Sequence, residues 1–293
     1  MMPGEVLGAV REIGRGALHD LASVAQGLSH GDDLDEWDPE YIRRTLPLWR
    51  RVFGAYFRPE VRGMGHIPQN GPALLVGNHS GGISIVDTFI LAVEFYSRFG
   101  PRRRFHQLAH DLAVRLPITG SLRRYGTLAA SHENARAAFR LGAPLLVYPG
   151  GDYETFRPSW ESDEVQFAGR QGFVRLALSE RVPIVPVVAL GGQETALFVT
   201  RGEQLARLLR LDRLLRLKVL PVSFGPPLGP NILDLPGRVP LPAKIAIEVL
   251  PPIDVLDRYG PDPDRDIVYE EVTGEMQGVL DRLSEERSAP LLG

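Results

Sequence analysis

The chain has 293 residues, 44% hydrophobic and 24% charged, a globular composition long enough to bury a sizeable core. Its formal charge of −3 argues against nucleic acid as a main partner, because phosphate binding needs a clear cationic excess. The absence of cysteine excludes disulfides, thiolate nucleophiles and cysteine metal sites.

Residues 4–30 predict an amphipathic helix, with Val6, Leu7, Val10, Ile13, Leu18, Leu21, Val24 and Leu28 at three- and four-residue steps. The acidic stretch GDDLDEWDPE (31–40) reads as a loop, and a second helix is expected over 39–57. From Val61 the texture changes. Apolar runs of strand length occur at 73–77, 104–109, 144–151, 182–190, 217–225 and 243–253, bounded by Gly, Pro or Asn. Helical patterns separate them near 85–99, 110–116, 131–141, 168–180 and 194–215, and a last helix is expected over 266–287.

Strands alternating with helices predict an α/β fold. A mostly parallel central sheet is flanked by helices on both faces, with an N-terminal helical extension. The expected units are an extension over 1–58, a main domain over 59–256 and a C-terminal loop and helix over 257–293. No apolar segment reaches the ~18–20 residues of a membrane-spanning helix, and the N-terminus lacks the apolar core of a signal peptide. Two lysines, Lys218 and Lys244, beside many arginines suggest a GC-rich bacterial coding sequence. The expected location is cytoplasmic, peripheral on the inner face of the plasma membrane.

LLVGNHSGGISIVDTF (74–89) carries the first chemical signal. In open α/β sheets the active crevice lies beyond the carboxyl ends of the strands, and Asn78-His79 stands at such an end. Ser80, Gly81 and Gly82 supply backbone freedom and N–H donors, and Asp87 opens the next helical pattern. A carboxylate on one ring nitrogen fixes the tautomer and leaves the other nitrogen free to accept a proton. A surface or structural histidine is the plain alternative.

LLVYPGGDYETFRPSW (145–160) repeats the pattern, with Gly150, Gly151, Asp152 and Glu154 after a buried run. Such a loop can present backbone donors to a carbonyl or phosphate, or can be a solvated turn. Neither a dinucleotide fingerprint nor a Walker lysine is present, and no G-x-S-x-G elbow supports a serine hydrolase. His106, His110 and Asp111 fall on one helical face if that segment is helical, but no further metal ligands accompany them.

Taken in order, GNHSGGISIVD (77–87), RRYGTLAASHENARAAF (123–139), VYPGGDYET (147–155), FAGRQGFVRLAL (167–178), VPIVPVVALGGQE (182–194) and PLPAKIAIEVLPPI (240–253) resemble the glycerolipid acyltransferase superfamily, most closely its mono- and diacylglycerol acyltransferase branch. The resemblance spans about residues 60–255. It implies transfer of an acyl group from an acyl thioester such as acyl-CoA, a co-substrate, to a lipid hydroxyl, with no cofactor and no metal. His79 is then the base and Asp87 its orienting partner. Asn78, Ser80, Gly81, Gly82, Gly150, Gly151, Asp152, Glu154 and Arg170 shape the substrate site.

Two departures from the family pattern stand out. The family's histidine is followed by four residues and an aspartate; here Ser84 takes that place and Asp87 comes three residues later. The family's Glu-Gly-Thr-Arg block aligns with Gly150, Gly151, Asp152 and Tyr153, which removes the arginine that grips a glycerol phosphate and favours a neutral acceptor, a mono- or diacylglycerol or long-chain alcohol. Arg157 or Arg170 can still supply charge. The arginines of LARLLRLDRLLRLKVL (205–220) lie largely on one half of a helix, which fits a membrane-surface element; the helix over 4–30 is a second. Both fit equally as helices covering the sheet. A lipid esterase or thioesterase, and a non-catalytic lipid-binding protein, remain alternatives.

Overall fold

A computed structural model describes residues 3–25, 34–110, 114, 120–211, 218–227, 229–232, 234 and 238–287. In chain order the elements begin with helices α1 (Pro3–Ala25) and α2 (Pro39–Tyr56), strands β1 (Glu60–Arg62) and β2 (Leu74–Gly77), helix α3 (Val86–Phe99) and strand β3 (His106–Ala109). Next come α4 (Gly120–Arg124), β4 (Thr127–Ala129), α5 (His132–Arg140), β5 (Leu145–Val147), α6 (Gly151–Thr155), α7 (Gly172–Glu180) and β6 (Ile184–Leu190). The chain ends with β7 (Leu197–Thr200), α8 (Glu203–Leu208), β8 (Val222–Gly225), β9 (Gly229–Ile232), β10 (Ala246–Val249), α9 (Val255–Tyr259) and α10 (Arg265–Glu286).

Seven strands form the main sheet in the order β1-β10-β6-β2-β5-β3-β4. β6, β2, β5, β3 and β4 run parallel, while β10 joins β6 antiparallel and β1 joins β10 parallel. The sheet is thus mostly parallel, and helices cover both faces. Successive residues of a strand point to opposite faces, so Leu74 and Leu75 fall in different cores. Leu75, Leu146, Val185 and Val187 pack with Ile42, Phe89, Ile90 and Tyr96 of α2 and α3. Leu74, Val76, Leu145 and Ile184 pack with Phe139 of α5, Val174 of α7 and Val268, Val272, Met276 and Leu280 of α10. Each such side chain, fully buried, contributes about 1.5–3 kcal/mol.

The helix starts are written in the sequence. Asp38 accepts from the amides of Glu40 and Tyr41 at 2.9 Å with Pro39 at the first turn, and Ser131 accepts from Asn134 N at 3.0 Å. Such caps satisfy donors the helix itself cannot.

Two expectations need correction. The leucine periodicity of 194–215 does not make one helix: β7 occupies Leu197–Thr200, and the chain turns through Gly202 at φ 63° before the short helix α8. Residues 197–200 run exposed, buried, half-buried and exposed, with a register shift between Phe198 and Thr200, so no clean two-residue period marks β7 in the sequence. The run 217–225 does not enter the main sheet. β8 pairs antiparallel with β7 and β9 in a separate three-stranded sheet between β6 and β10. Most of the helix expected at 110–116, and Arg213 and Arg216 of the basic segment, lie outside the described residues.

Candidate active site

The parallel strands deliver their carboxyl ends to one pole, where the segments after β2, β5 and β6 meet. Asn78 locks the first of these. Its side-chain amide donates to the Ala189 carbonyl at 2.8 Å and accepts from the Ala189 amide at 2.7 Å, both on β6. His79 follows, with its Nδ1 3.0 Å from Asp87 Oδ2. Asp87 is 1% exposed in the first turn of α3, and the same Oδ2 accepts from Ser80 N at 3.0 Å while Oδ1 accepts from Thr88 N at 2.7 Å. Both oxygens of Asp87 act as acceptors in these contacts. Nδ1 then carries the proton, and Nε2 is left as the acceptor.

The three added residues between His79 and Asp87 are absorbed by a tight 3₁₀ turn, Gly82–Ser84. Gly81 (φ 89°), Gly82 (φ 63°) and Ile85 (φ 40°) flank or open it in left-handed backbone conformations. That region is natural for glycine and strained for a β-branched residue. The turn is clamped from the small sheet. Asp234 Oδ2 accepts from Ile83 N at 2.8 Å. Arg238 donates to Asp234 at 2.7 Å, to the Thr195 carbonyl at 3.0 Å, to Ser84 Oγ at 3.0 Å and to the Gly81 carbonyl at 3.2 Å. Both partners of this ion pair are buried, and loss of either leaves a stranded charge, a cost of about 3–5 kcal/mol. Ser84 therefore meets a guanidinium where the family pattern places its aspartate.

The second segment supports His79 from below. Glu154, on α6, accepts from His79 N at 2.9 Å through Oε2 and from Gln166 N at 2.9 Å through Oε1. Burial pushes its carboxyl up from the ordinary range, against the pull of Arg157 and the two amides. Tyr148 stacks on the imidazole, with ring centroids 4.2 Å apart and planes 19° from parallel. Its hydroxyl lies 2.8 Å from Thr88 Oγ1, and burial pushes the phenol well above its ordinary value. Only glycine at 77 allows this, since a Cβ there would stand 2.6 Å from Tyr148 Cε1.

Arg157 is 1% exposed and turns away from the crevice. It donates to the carbonyls of His79 (2.7 Å), Glu154 (3.0 Å), Glu161 (2.9 Å) and Ser162 (2.9 Å). It is spent on the scaffold and supplies no charge to a substrate. Arg157 lies four residues beyond Tyr153, the position aligned with the family's arginine, and its guanidinium is directed inward.

Arg170 ties down the rim. It donates to the Gly150 carbonyl at 2.8 Å and pairs with Asp152 at 3.1 Å. Gly150 packs on Glu154, where a Cβ would lie 2.4 Å from Oε2. Two of the expected backbone donors are already used: Gly81 N donates to Gln193 Oε1 at 3.1 Å, and Gly151 N to the Tyr148 carbonyl at 3.1 Å. The amides of Gly82 and Gly150 are left as candidate oxyanion donors. Ser80 Oγ is buried without a hydrogen-bond partner, and Gly192 packs against it. His106 lies on β3, not on a helix, and its Nδ1 is 3.1 Å from the Gly126 carbonyl, so no helical cluster with His110 forms; Asp111 lies outside the described residues.

The structure thus brings Asn78, His79, Ser80, Gly81, Gly82, Asp87, Gly150 and Glu154 together and places Gly151, Asp152 and Arg170 at the rim. Sequence reasoning missed Tyr148, Gln193, Asp234 and Arg238. Tyr148 and Gln193 lie within motifs already singled out; nothing local marks the other two.

Residues 58–190 match the family described as Acyltransferase. Proteins of Mycobacterium bovis and Mycobacterium tuberculosis are each 32% identical over 269 residues, covering 89% of this chain and 72% of theirs. A human protein described as "DGAT1/2-independent enzyme synthesizing storage lipids" is 28% identical over 153 residues, 52% of this chain and 45% of that protein. Among solved structures, the 1-acyl-sn-glycerophosphate acyltransferase PlsC of Thermotoga maritima superposes with a TM-score of 0.49 at 16% identity, covering 85% of this chain and 83% of that one.

Proposed function

The chain belongs to the glycerolipid acyltransferase superfamily and is an acyltransferase, and from that premise we propose that it moves a fatty acyl group from acyl-CoA to the hydroxyl of a neutral lipid, with His79 as general base. The observation that carries the reading is the pairing of His79 Nδ1 with Asp87 Oδ2 at 3.0 Å, at the carboxyl end of β2. Nε2 takes the acceptor's hydroxyl proton as the oxygen attacks the thioester carbonyl. The tetrahedral intermediate collapses with expulsion of the CoA thiolate, which the His79 imidazolium protonates. Tyr148 and Glu154 hold the imidazole in place.

The attack is direct. The chain has no cysteine, and Ser80 Oγ is walled in beside Gly192. Tyr153 at the place of the family's arginine supports a neutral acceptor, and the nearby Arg157 is bonded inward to the carbonyls of His79 and Ser162. The human relative, described as an enzyme synthesizing storage lipids, agrees with that choice. An insoluble acceptor requires contact with a bilayer. The outer face of the small sheet offers one, with Leu197, Phe224 and Ile232 between 43% and 56% exposed. Leu208 and Leu209 of the following segment are exposed with Arg207 and Arg210, the mixture an anionic bilayer attracts.

The test is incubation with a long-chain acyl-CoA and vesicles carrying monoacylglycerol, diacylglycerol or lysophosphatidate, followed by mass spectrometry of the lipids. Acylated mono- or diacylglycerol is the expected product. Acylated lysophosphatidate alone would overturn the neutral acceptor, and free fatty acid alone would overturn the transferase.

A further inference from the structure

The loops that feed the amino ends of β2, β5 and β3 enclose a concavity of about 720 Å³ at the pole opposite His79. These strands are neighbours in the sheet, so their entry loops converge as their exit loops do at the active pole. The lining comprises Gln69, Asn70, Arg98, Arg102, Arg103 and Arg104, with Phe99 and the turn at 141–142 completing the wall. No carboxylate lines it. Elsewhere Arg62, Arg123, Arg201, Arg238, Arg258 and Arg282 each have an acidic partner. Among the described residues the four arginines here have none.

Two of the four are rigidly held. Arg103 donates to the Pro68 carbonyl and lies over the Phe99 ring, 4.2 Å from its centroid. Its Nη1 is buried with no acceptor. Arg104 lies over Trp37 at 4.7 Å and reaches the Leu34 carbonyl at 3.4 Å. Arg98 and Arg102 are exposed at the mouth. A protein of net charge −3 thus gathers four uncompensated guanidinium groups around one hollow. Guanidinium forks match phosphate oxygens in geometry and charge, and the amides of Gln69 and Asn70 add neutral donors. The volume falls within the ~300–1,000 Å³ of small-ligand sites.

We propose that this pocket binds a phosphate-bearing ligand, either a soluble phosphorylated molecule or the headgroup of an anionic lipid, at a site separate from the acyl-transfer crevice. The sheet divides the two: at ~3.3 Å per residue, the three- and four-residue strands between the poles span ~10–13 Å.

The experiment uses wild type and the double variant Arg98→Glu/Arg102→Glu, which leaves Arg103 and Arg104 in their packed places. Pyrophosphate is titrated calorimetrically at low salt, and flotation is measured with phosphatidylcholine vesicles with and without phosphatidylglycerol. The proposal expects saturable pyrophosphate binding that weakens with salt, or phosphatidylglycerol-dependent flotation. The first result assigns a soluble ligand and the second a headgroup. Either should weaken at least ~10-fold in the double variant, about 1.4 kcal/mol. Without ligand the variant should melt no lower than wild type, since like-charge repulsion is relieved, and pyrophosphate should raise the melting temperature of wild type alone if it is the soluble ligand. Absence of both kinds of binding, or binding unchanged in a folded double variant, would overturn the proposal.

Discussion

Replacing Asp87 with Asn keeps the size of the side chain and removes its charge and one acceptor oxygen. The carboxylate serves His79 Nδ1 and Ser80 N at 3.0 Å on Oδ2, and Thr88 N at 2.7 Å on Oδ1. An amide cannot serve both sets. With its oxygen toward His79, its NH2 opposes the Thr88 amide. Flipped, the NH2 opposes Ser80 N and forces the imidazole proton onto Nε2, where it blocks base catalysis. Each lost hydrogen bond to the buried charge is worth about 1.5–3 kcal/mol, so the variant should lose roughly 2–3 kcal/mol of stability in a urea titration. Turnover should fall about 10²–10⁴-fold, the range of a positioned base. Release of CoA can be followed with a thiol reagent, because the protein has no cysteine of its own to react. A folded Asp87→Asn protein within a factor of three or so of wild-type turnover would refute the dyad.

At Gly82, a Cβ would stand 2.0 Å from Asp234 Oδ2 and 2.8 Å from Phe198 Cζ, at φ 63°. Gly82→Ala should therefore cost about 3 kcal/mol or more in chemical denaturation, against about 1 kcal/mol for Gly142→Ala, which shares the left-handed backbone but meets nothing within 4 Å. Burial lowers the His106 pKa from 6.5 to about 4. Between those values the unfolded chain binds the proton that the folded one refuses, so acidification from about pH 6.5 to 4 should remove about 3 kcal/mol of stability. The His106→Gln variant should lack that component, and an identical pH profile would contradict the assignment. On the small sheet, Leu197→Glu/Phe224→Glu should weaken flotation with anionic vesicles and acylation of bilayer-embedded acceptor while leaving the melting temperature unchanged. Unaltered flotation would remove that face from the membrane contact.

The main sheet was legible because its strands are buried on both faces and read as short apolar runs between breakers. What escaped was the excursion between β6 and β10. Its strands bury one face only, on the Gly81–Ser84 turn, and the leucine run of α8 that follows β7 extends a helical pattern back over the strand. The candidate site was legible in part for a similar reason. His79 follows a strand end, and Asp87 and Glu154 sit in the helices that open after strands β2 and β5, a local feature. Asp234 and Arg238 reach the turn only through tertiary packing, across about 150 residues of chain. Arg157 shows the converse limit: its spacing from Glu154 can be read from the sequence, but its inward direction is decided by carbonyls at 79, 161 and 162. The eight-residue step from His79 to Asp87 exceeds the family's five, and the left-handed backbone at Gly81, Gly82 and Ile85 shortens the path that the two glycines made possible.

The most direct test of the account compares wild type with His79→Ala in acyl-CoA plus vesicle-embedded mono- or diacylglycerol, with the acylated lipid quantified by mass spectrometry. The account predicts a wild-type product that falls about 10²–10⁴-fold in the variant, with the fold intact by circular dichroism. Equal product from both proteins would contradict the assignment of His79 as the base.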